Sequence, residues 1–237
     1  IATEVEHYSV LEPIKKLEKE GAKIHYLSVD KEGLIKLDEF KKALTPDTVL
    51  VSIIYANNEI GSVQPIKKIA KIIKEFRNSQ YPYFHIDAAQ AAAYLDMNVN
   101  NLGVDLMTVS SHKIHGPKGA AALYVRRGTK IEPMMDGGGQ ESGLRSATEA
   151  LPLIVGFAEA FEKTQKSKAK SQNYQENLRD YFIAGLKKNL PSVRINGPKD
   201  PRDRVPHIIN VIFPGIENEQ LLLHLDKHGI RASAGSA

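Results

Sequence analysis

The sequence predicts an α/β fold with a mostly parallel central sheet flanked by helices. Three observations predict it. Short apolar runs alternate with amphipathic stretches of helical period. The runs are strand-length, and alternating strands and helices favour parallel pairing. Each of four runs is followed by a polar cluster, which is where open α/β sheets place their ligands.

The elements follow in order. Ile1-Ala-Thr is a first apolar run. Thr48 to Tyr55 reads as a buried strand. Pro65 opens a helix at its first turn, with Ile66, Ile69, Ala70 and Ile73 on one face. Tyr83-Phe-His-Ile-Asp87 is the next strand, Asp105 to Ser110 another, and Ala120 to Val125 a further one. From Ala150 to about Leu190 the pattern is helical, with Ile154, Phe157, Ala158 and Phe161 on one face. Lys163 to Gln175 is the polar, exposed part of that helix. After Asn196-Gly-Pro the character changes: His207 to Phe213 reads as a strand, Asn218 to His228 as a short helix, and Gly229 as its C-cap. Residues 1–195 are therefore expected to form part of a large domain, and residues 196–237 the beginning of a smaller α+β C-terminal domain.

Composition narrows the function. The 237 residues are 42% hydrophobic and 25% charged, an ordinary globular balance. No uninterrupted apolar stretch of about 18 residues occurs, so no membrane span is expected. The net charge of +4 comes without a Lys/Arg block interleaved with aromatics; the densest basic stretch, Lys163 to Lys170, reads as a solvated helix face and not as a nucleic-acid surface. Cysteine is absent. That excludes disulfides and Cys-type metal sites, no metal site is expected, and it fits a reducing compartment such as the cytoplasm.

The four polar clusters carry the chemistry. Glu6-His7 follows the first run, Asn57-Asn-Glu-Ile-Gly61 the second, Asp87-Ala-Ala-Gln90 the third and Ser110-Ser-His-Lys113 the fourth. In a parallel sheet they converge on one site. His85 and Asp87 lie on one face of their strand. A carboxylate at a buried strand end needs a partner, and a protonated ring nitrogen would serve. Lys113 follows a buried strand, where burial can lower its proton affinity and suit it to Schiff-base chemistry. An Asp and a Lys so placed are the two groups a pyridoxal-phosphate site requires. Singly, each cluster has a plainer reading as an N-cap, a turn or a surface histidine; their joint order at four strand ends argues against coincidence.

These residues resemble a known family. Glu6-His-Tyr-Ser-Val10, Asn57-Asn-Glu-Ile-Gly61, His85-Ile-Asp-Ala-Ala-Gln90, Ser111-His-Lys-Ile-His-Gly-Pro-Lys-Gly119, and Gly137-Gly-Gly-Gln-Glu141 with Arg145-Ser-Ala-Thr148 look like the cysteine desulfurases of the NifS/IscS type. These are class V aminotransferase-like, fold-type I pyridoxal-phosphate enzymes. The resemblance implies pyridoxal 5'-phosphate as cofactor. It implies that Lys113 bonds the cofactor and moves protons, Asp87 pairs with the pyridine nitrogen, and Gln90 bonds the ring hydroxyl oxygen. Asn58 would lie by the ring, His7 would stack over it and help in proton transfer, and Ser111 and His112 would hold the phosphate. Thr148 would reach the phosphate of a neighbouring subunit, so a homodimer is implied. The implied reaction takes sulfur from L-cysteine, leaves L-alanine, and passes an enzyme persulfide to a sulfur acceptor or iron–sulfur scaffold protein.

The sequence departs from that pattern at its ends. The family's nucleophilic cysteine is absent, and Arg231-Ala-Ser-Ala-Gly-Ser-Ala237 resembles the segment leading into it. The family's upstream Gly/Thr-rich phosphate cup and its C-terminal substrate-carboxylate arginine are not found either. The expectation is a fragment lacking both ends and inactive alone, from a cytoplasmic protein, or a mitochondrial one if a targeting segment precedes. Alternatives are a selenocysteine lyase or another class V enzyme, and a non-catalytic scaffold homologue, against which Lys113 and Asp87 both speak.

Overall fold

The computed structural model describes residues 1–78 and 80–235; the last two residues of the Arg231-to-Ala237 segment lie outside them. A six-stranded sheet organises the chain: β1 (Ala2–Thr3), β2 (Tyr26–Leu27), β3 (Leu50–Ile54), β4 (Tyr83–Asp87), β5 (Leu106–Ser110) and β6 (Ala121–Val125). Their spatial order is β2-β1-β3-β4-β5-β6. All neighbours are parallel except β5 and β6. The mostly parallel sheet is thus as expected, with one antiparallel edge. One face of the centre is wholly apolar: Val51, Ile53, Phe84 and Ile86, which the register of β3 on β4 sets side by side, are completely buried.

The helices are α1 (Tyr8–Lys19), α2 (Leu37–Ala43), α3 (Ile66–Phe76), α4 (Val99–Leu102), α5 (Leu151–Asn189) and α6 (Asn218–Lys227). In α3 the isoleucines at 66, 69 and 73 recur on one stripe and are all buried, so the helix is held by packing and not by propensity. Pro65 stands at its N-cap. The segment α1, β2, α2 before β3 was not distinguished in the sequence. The chain enters α1 through His7, whose Nδ1 accepts from Ser9 N at 3.1 Å and satisfies one of the four free N–H groups of the first turn.

The far end of the sheet has its own polar anchor. Asp105, buried just before β5, accepts from Arg77 Nη2 at 2.7 Å and from Phe84 N at 2.8 Å. This ties α3 to the N-terminal edges of β4 and β5, leaving the opposite edge for chemistry.

Beyond β6 the chain is more open. The 39-residue helix α5 was expected at 150–190 and is found there. Its packed face differs from the expected one. Phe157 and Phe161 lie against the core, whereas Ile154 and Ala158 are exposed. Gly156 and Ala160 supply the close contact with the loop after β5. The polar stretch is not wholly solvated either: Gln165 Nε2 donates to Ala92 O at 2.8 Å, and Lys168 Nζ reaches Leu95 O. A two-stranded antiparallel ladder of β7 (Arg194–Asn196) and β8 (Asn210–Ile212) follows. β8 is shorter than the run from His207 to Phe213 that predicts it, and the chain leading into that run is a strap bonded to the loop after β3. Val205 N donates to Gly61 O at 2.9 Å and Val63 N to Asp203 O at 2.8 Å. No described helix is long and apolar enough to cross a membrane.

Candidate active site

The C-terminal ends of β1, β3, β4 and β5 stand in a row, because these four strands are parallel neighbours. Four clusters far apart in sequence are thereby brought to one edge. Hydrogen bonds join the first two directly. Asn57 Nδ2 donates to Val5 O at 3.1 Å, and Ile54 N donates to Glu6 Oε1 at 2.8 Å. Asn57 Oδ1 also accepts from Glu59 N and Ile60 N, both at 2.9 Å. Buried Asn57 therefore builds the turn that presents its half-buried neighbour Asn58.

Asp87 is buried at the end of β4. Its Oδ1 accepts from Ala89 N at 2.9 Å, an N-cap-like bond, and its other oxygen accepts no hydrogen bond among the described residues. On the same face, His85 bridges three strands: Nδ1 lies 2.8 Å from Ser52 Oγ and Nε2 2.9 Å from Thr108 Oγ1. Burial pushes the His85 pKa down, against the pull of Asp87. A neutral imidazole bonded on both sides is a spacer that fixes β3, β4 and β5, so His85 is spoken for.

Glu6 was quoted in the sequence motif but not selected. It is buried, with Oε1 accepting from Thr3 Oγ1 at 2.6 Å as well as from Ile54 N. Its Oε2 is buried without a partner. Burial pushes the carboxyl up to about 7, with the nearby Asp87 charge adding to the rise and the hydrogen bonds opposing it. The signal that could have found it was an acidic residue directly after a buried strand end.

Lys113 lies in a 3-10 turn, Ser111–Ile114, immediately after β5. Its side chain is exposed, not enclosed as its position after a buried strand led us to expect, because only Ser111 and Ile114 of that turn point inward. Ser111 Oγ is fully buried and has no partner. A side chain at Gly116 would stand 3.1 Å from Ser111 O and from Ala160 Cβ, so glycine lets the 115–119 loop fold over the turn. His112 is exposed and its Nδ1 is 2.9 Å from Ser110 Oγ. His7 Nδ1 accepts from Ser9 N, which leaves the ring proton of neutral His7 on Nε2.

Gln90, on the turn after β4, is half-buried, and its Oε1 lies 3.1 Å from His207 Nε2. The His207 ring stacks on Tyr94 at 4.3 Å and 19°. Burial, and then the Lys113 charge, push the His207 pKa down to about 4. Sequence reading passed over His207 as the start of a strand. Thr148 stands apart: it is exposed between a 3-10 turn at Glu141–Gly143 and α5, and makes no hydrogen bond among the described residues.

The donor set fits pyridoxal phosphate. A primary amine, a buried carboxylate with a free oxygen, and a buried hydroxyl with no partner of its own are the three anchors that an aldehyde, a pyridinium and a phosphate need. Among the described residues no group of three His, Cys, Asp or Glu side chains could hold a metal ion.

Comparison with known proteins agrees. The aminotransferase class-V family profile matches residues 1–237. The chain is 44% identical over 237 residues to "Cysteine desulfurase IscS" of Clostridium botulinum, covering 100% of this chain and 59% of that protein. It is 46% identical to "Cysteine desulfurase IscS" of Dictyoglomus turgidum, with the same coverage. Among solved structures, a "NifS-like protein" superposes with a TM-score of 0.92 at 38% identity, over 98% of this chain and 62% of that one. The chain thus spans about three-fifths of the length of the relatives it matches.

Proposed function

We propose, from the premise that this chain belongs to the aminotransferase class-V family of pyridoxal-phosphate enzymes, that it carries the cofactor-binding part of a cysteine desulfurase. The substrate in this reading is L-cysteine, and the products are L-alanine and a persulfide for an iron–sulfur or thiolation acceptor. The single observation that carries the reading is the row of four parallel strand ends, with Asp87, Ser111 and Lys113 on adjoining strands and Ser111 Oγ unpartnered. The names of the relatives give the choice of substrate.

Pyridoxal phosphate, when bound, supplies an electron sink for the α-carbon of the substrate. The protein's share is positioning and proton movement. Lys113 would hold the cofactor covalently by its Nζ and would be the group to carry the α-proton. Asp87, with one oxygen free, keeps the ring nitrogen protonated. Ser111 Oγ and His112 receive the phosphate. Gln90 would address the ring oxygen, and Asn58 would lie beside the incoming carboxylate. His7 would stack over the ring and help in proton transfer, and the bond from Ser9 N to its Nδ1 fixes the orientation of the imidazole. Thr148 is assigned to the phosphate of a second subunit; its exposure here is compatible with that. The sulfur step needs a thiol that none of these 237 residues supplies.

In this reading residues 1–195 belong to a large cofactor domain and residues 196–237 begin a small one, with the β7–β8 ladder starting two residues before that boundary. We assign the protein to the cytoplasm, a reducing compartment that suits a cysteine-free chain; a targeting segment upstream would make it mitochondrial.

The test is optical and chemical. Pyridoxal phosphate added to the protein gives a yellow species, and borohydride fixes it to the peptide containing Lys113. A protein that stays colourless overturns the reading. The 237 residues alone release no sulfide from L-cysteine; normal turnover by them would overturn the assignment of the thiol to a segment outside them.

A further inference from the structure

We infer that His207 is a positioning residue: it fixes the Gln90 amide so that its NH2 group faces the cofactor's ring oxygen. The inference rests on the pyridoxal-phosphate reading and goes beyond it, because His207 comes from the strap between β7 and β8, outside the four strand-end clusters.

The geometry decides which way the amide points. His207 Nε2 and Gln90 Oε1 are 3.1 Å apart. A carbonyl oxygen can only accept, so the ring must donate from Nε2. The neutral ring then has Nδ1 as a bare acceptor, and Nδ1 is buried without a partner. Turning the Gln90 amide over would bring NH2 against Nε2. The ring proton would have to move to Nδ1, leaving a buried N–H with nothing to receive it, the worse of the two defects. The bond therefore selects one amide orientation, with Oε1 engaged and NH2 free. A free NH2 is a donor, which is what a negatively charged ring oxygen takes up.

Three further features hold His207 in place. The Tyr94 ring stacked 4.3 Å away blocks rotation of the imidazole. Buried Val205 and Pro206 precede it, and Val205 N is bonded to Gly61 O. Burial, together with the cation of Lys113, pushes the ring's pKa down to about 4, so the ring is neutral near pH 7 and the donor tautomer persists there.

The experiment uses the gene product at its full encoded length, loaded with pyridoxal phosphate. His207→Phe keeps a ring to stack on Tyr94 but removes the donor. A donor to the ring oxygen stabilises the more negative form of the chromophore, so losing its orientation raises the pH midpoint of the visible band. We expect a rise of about half a pH unit and about a threefold to tenfold weaker cofactor dissociation constant, the scale of one hydrogen bond. In a Gln90→Ala background the same substitution moves the midpoint no further, since His207 acts through Gln90. Before loading, side-chain 15N NMR at pH 6 shows His207 neutral with its proton on Nε2. A coloured His207→Phe protein with an unchanged midpoint overturns the inference alone. So does an equal shift in both backgrounds, or a proton found on Nδ1. A parent protein that never becomes coloured overturns the cofactor reading, and the inference with it.

Discussion

The chain up to Ile114 and the chain after it are stabilised in different ways. Among the described residues and prolines aside, every buried apolar residue except Val205 lies at or before Ile114. The contrast is plain between two helices. In α3, 11 residues bury three isoleucines; in α5, 39 residues bury only Arg179. The first region owns a core and fixes its strand ends rigidly. The second is held by a few specific bonds, and leaves Leu151, Ile154, Tyr181 and Leu223 exposed. The lesson is that the chemistry stands on the rigid region, and that the loose region reaches it at defined points, of which His207 is one.

Four measurements sharpen or break that contrast. The largest effect falls on function without stability. Lys113→Ala abolishes borohydride fixation and lowers turnover of the complete enzyme by at least about 10²- to 10⁴-fold. Because Lys113 is exposed, its thermal midpoint stays within error, and a clear fall would show the lysine turn to be part of the scaffold. Next is the core itself. Phe84→Ala, at a completely buried position, costs about 3–5 kcal/mol, whereas Leu223→Ala, at a side chain 73% exposed, stays within about 0.5 kcal/mol. Equal losses in urea unfolding would erase the distinction between the regions.

The third measurement concerns pH. Glu6 ionises at about 7 in the folded protein against 4.5 ordinarily. An acid whose folded pKa is raised binds its proton more tightly when folded. Its contribution is complete below pH 4.5 and is lost as pH rises through about 7, by roughly 3 kcal/mol in all. Glu6→Gln should flatten stability across that window, and a parent protein with no slope there would mean the carboxyl is not enclosed by the sheet. The smallest effect is at the surface: Lys163→Ala breaks an exposed i,i+4 pair with Glu159 and changes stability by about 0.5 kcal/mol or less.

Much of the first region was legible because burial and periodicity coincide there. Tyr83–Asp87 was read to the residue, since Pro82 stands before it and the carboxylate of Asp87 closes it. Asp87 and Lys113 come to adjoining strand ends because one short helix, α4, and one strand, β5, fill the chain between them. What escaped was mostly tertiary. Nothing local says that β6 runs antiparallel, or that the face of α5 around Gly156 and Ala160 would be chosen over Ile154 by the glycine-rich loop beneath it. Strands β1 and β2 have two residues each, too short for any period. Lys113 looked buried because its strand is, but the 3-10 turn rotates it outward. His207 looked like the first residue of a strand because its neighbours are apolar, and its link to Gln90, 117 residues away, has no local trace.

The length of α5 has a consequence for how this protein can change. Near its start the helix rests on the loop of Lys113, through Gly156 and Ala160; further on, Arg179, Asp180, Ile183 and Lys187 face Ile195, Pro198 and Arg204 around a cavity beside the β7–β8 ladder. One rod thus sets the spacing between the lysine and the strap that delivers His207. A helix advances about 1.5 Å and turns about 100° per residue. Inserting or deleting a single residue between Ala160 and Arg179 would swing every later contact to another side of the rod. The exposed surface of α5 is free to drift in composition, while its count of residues is not.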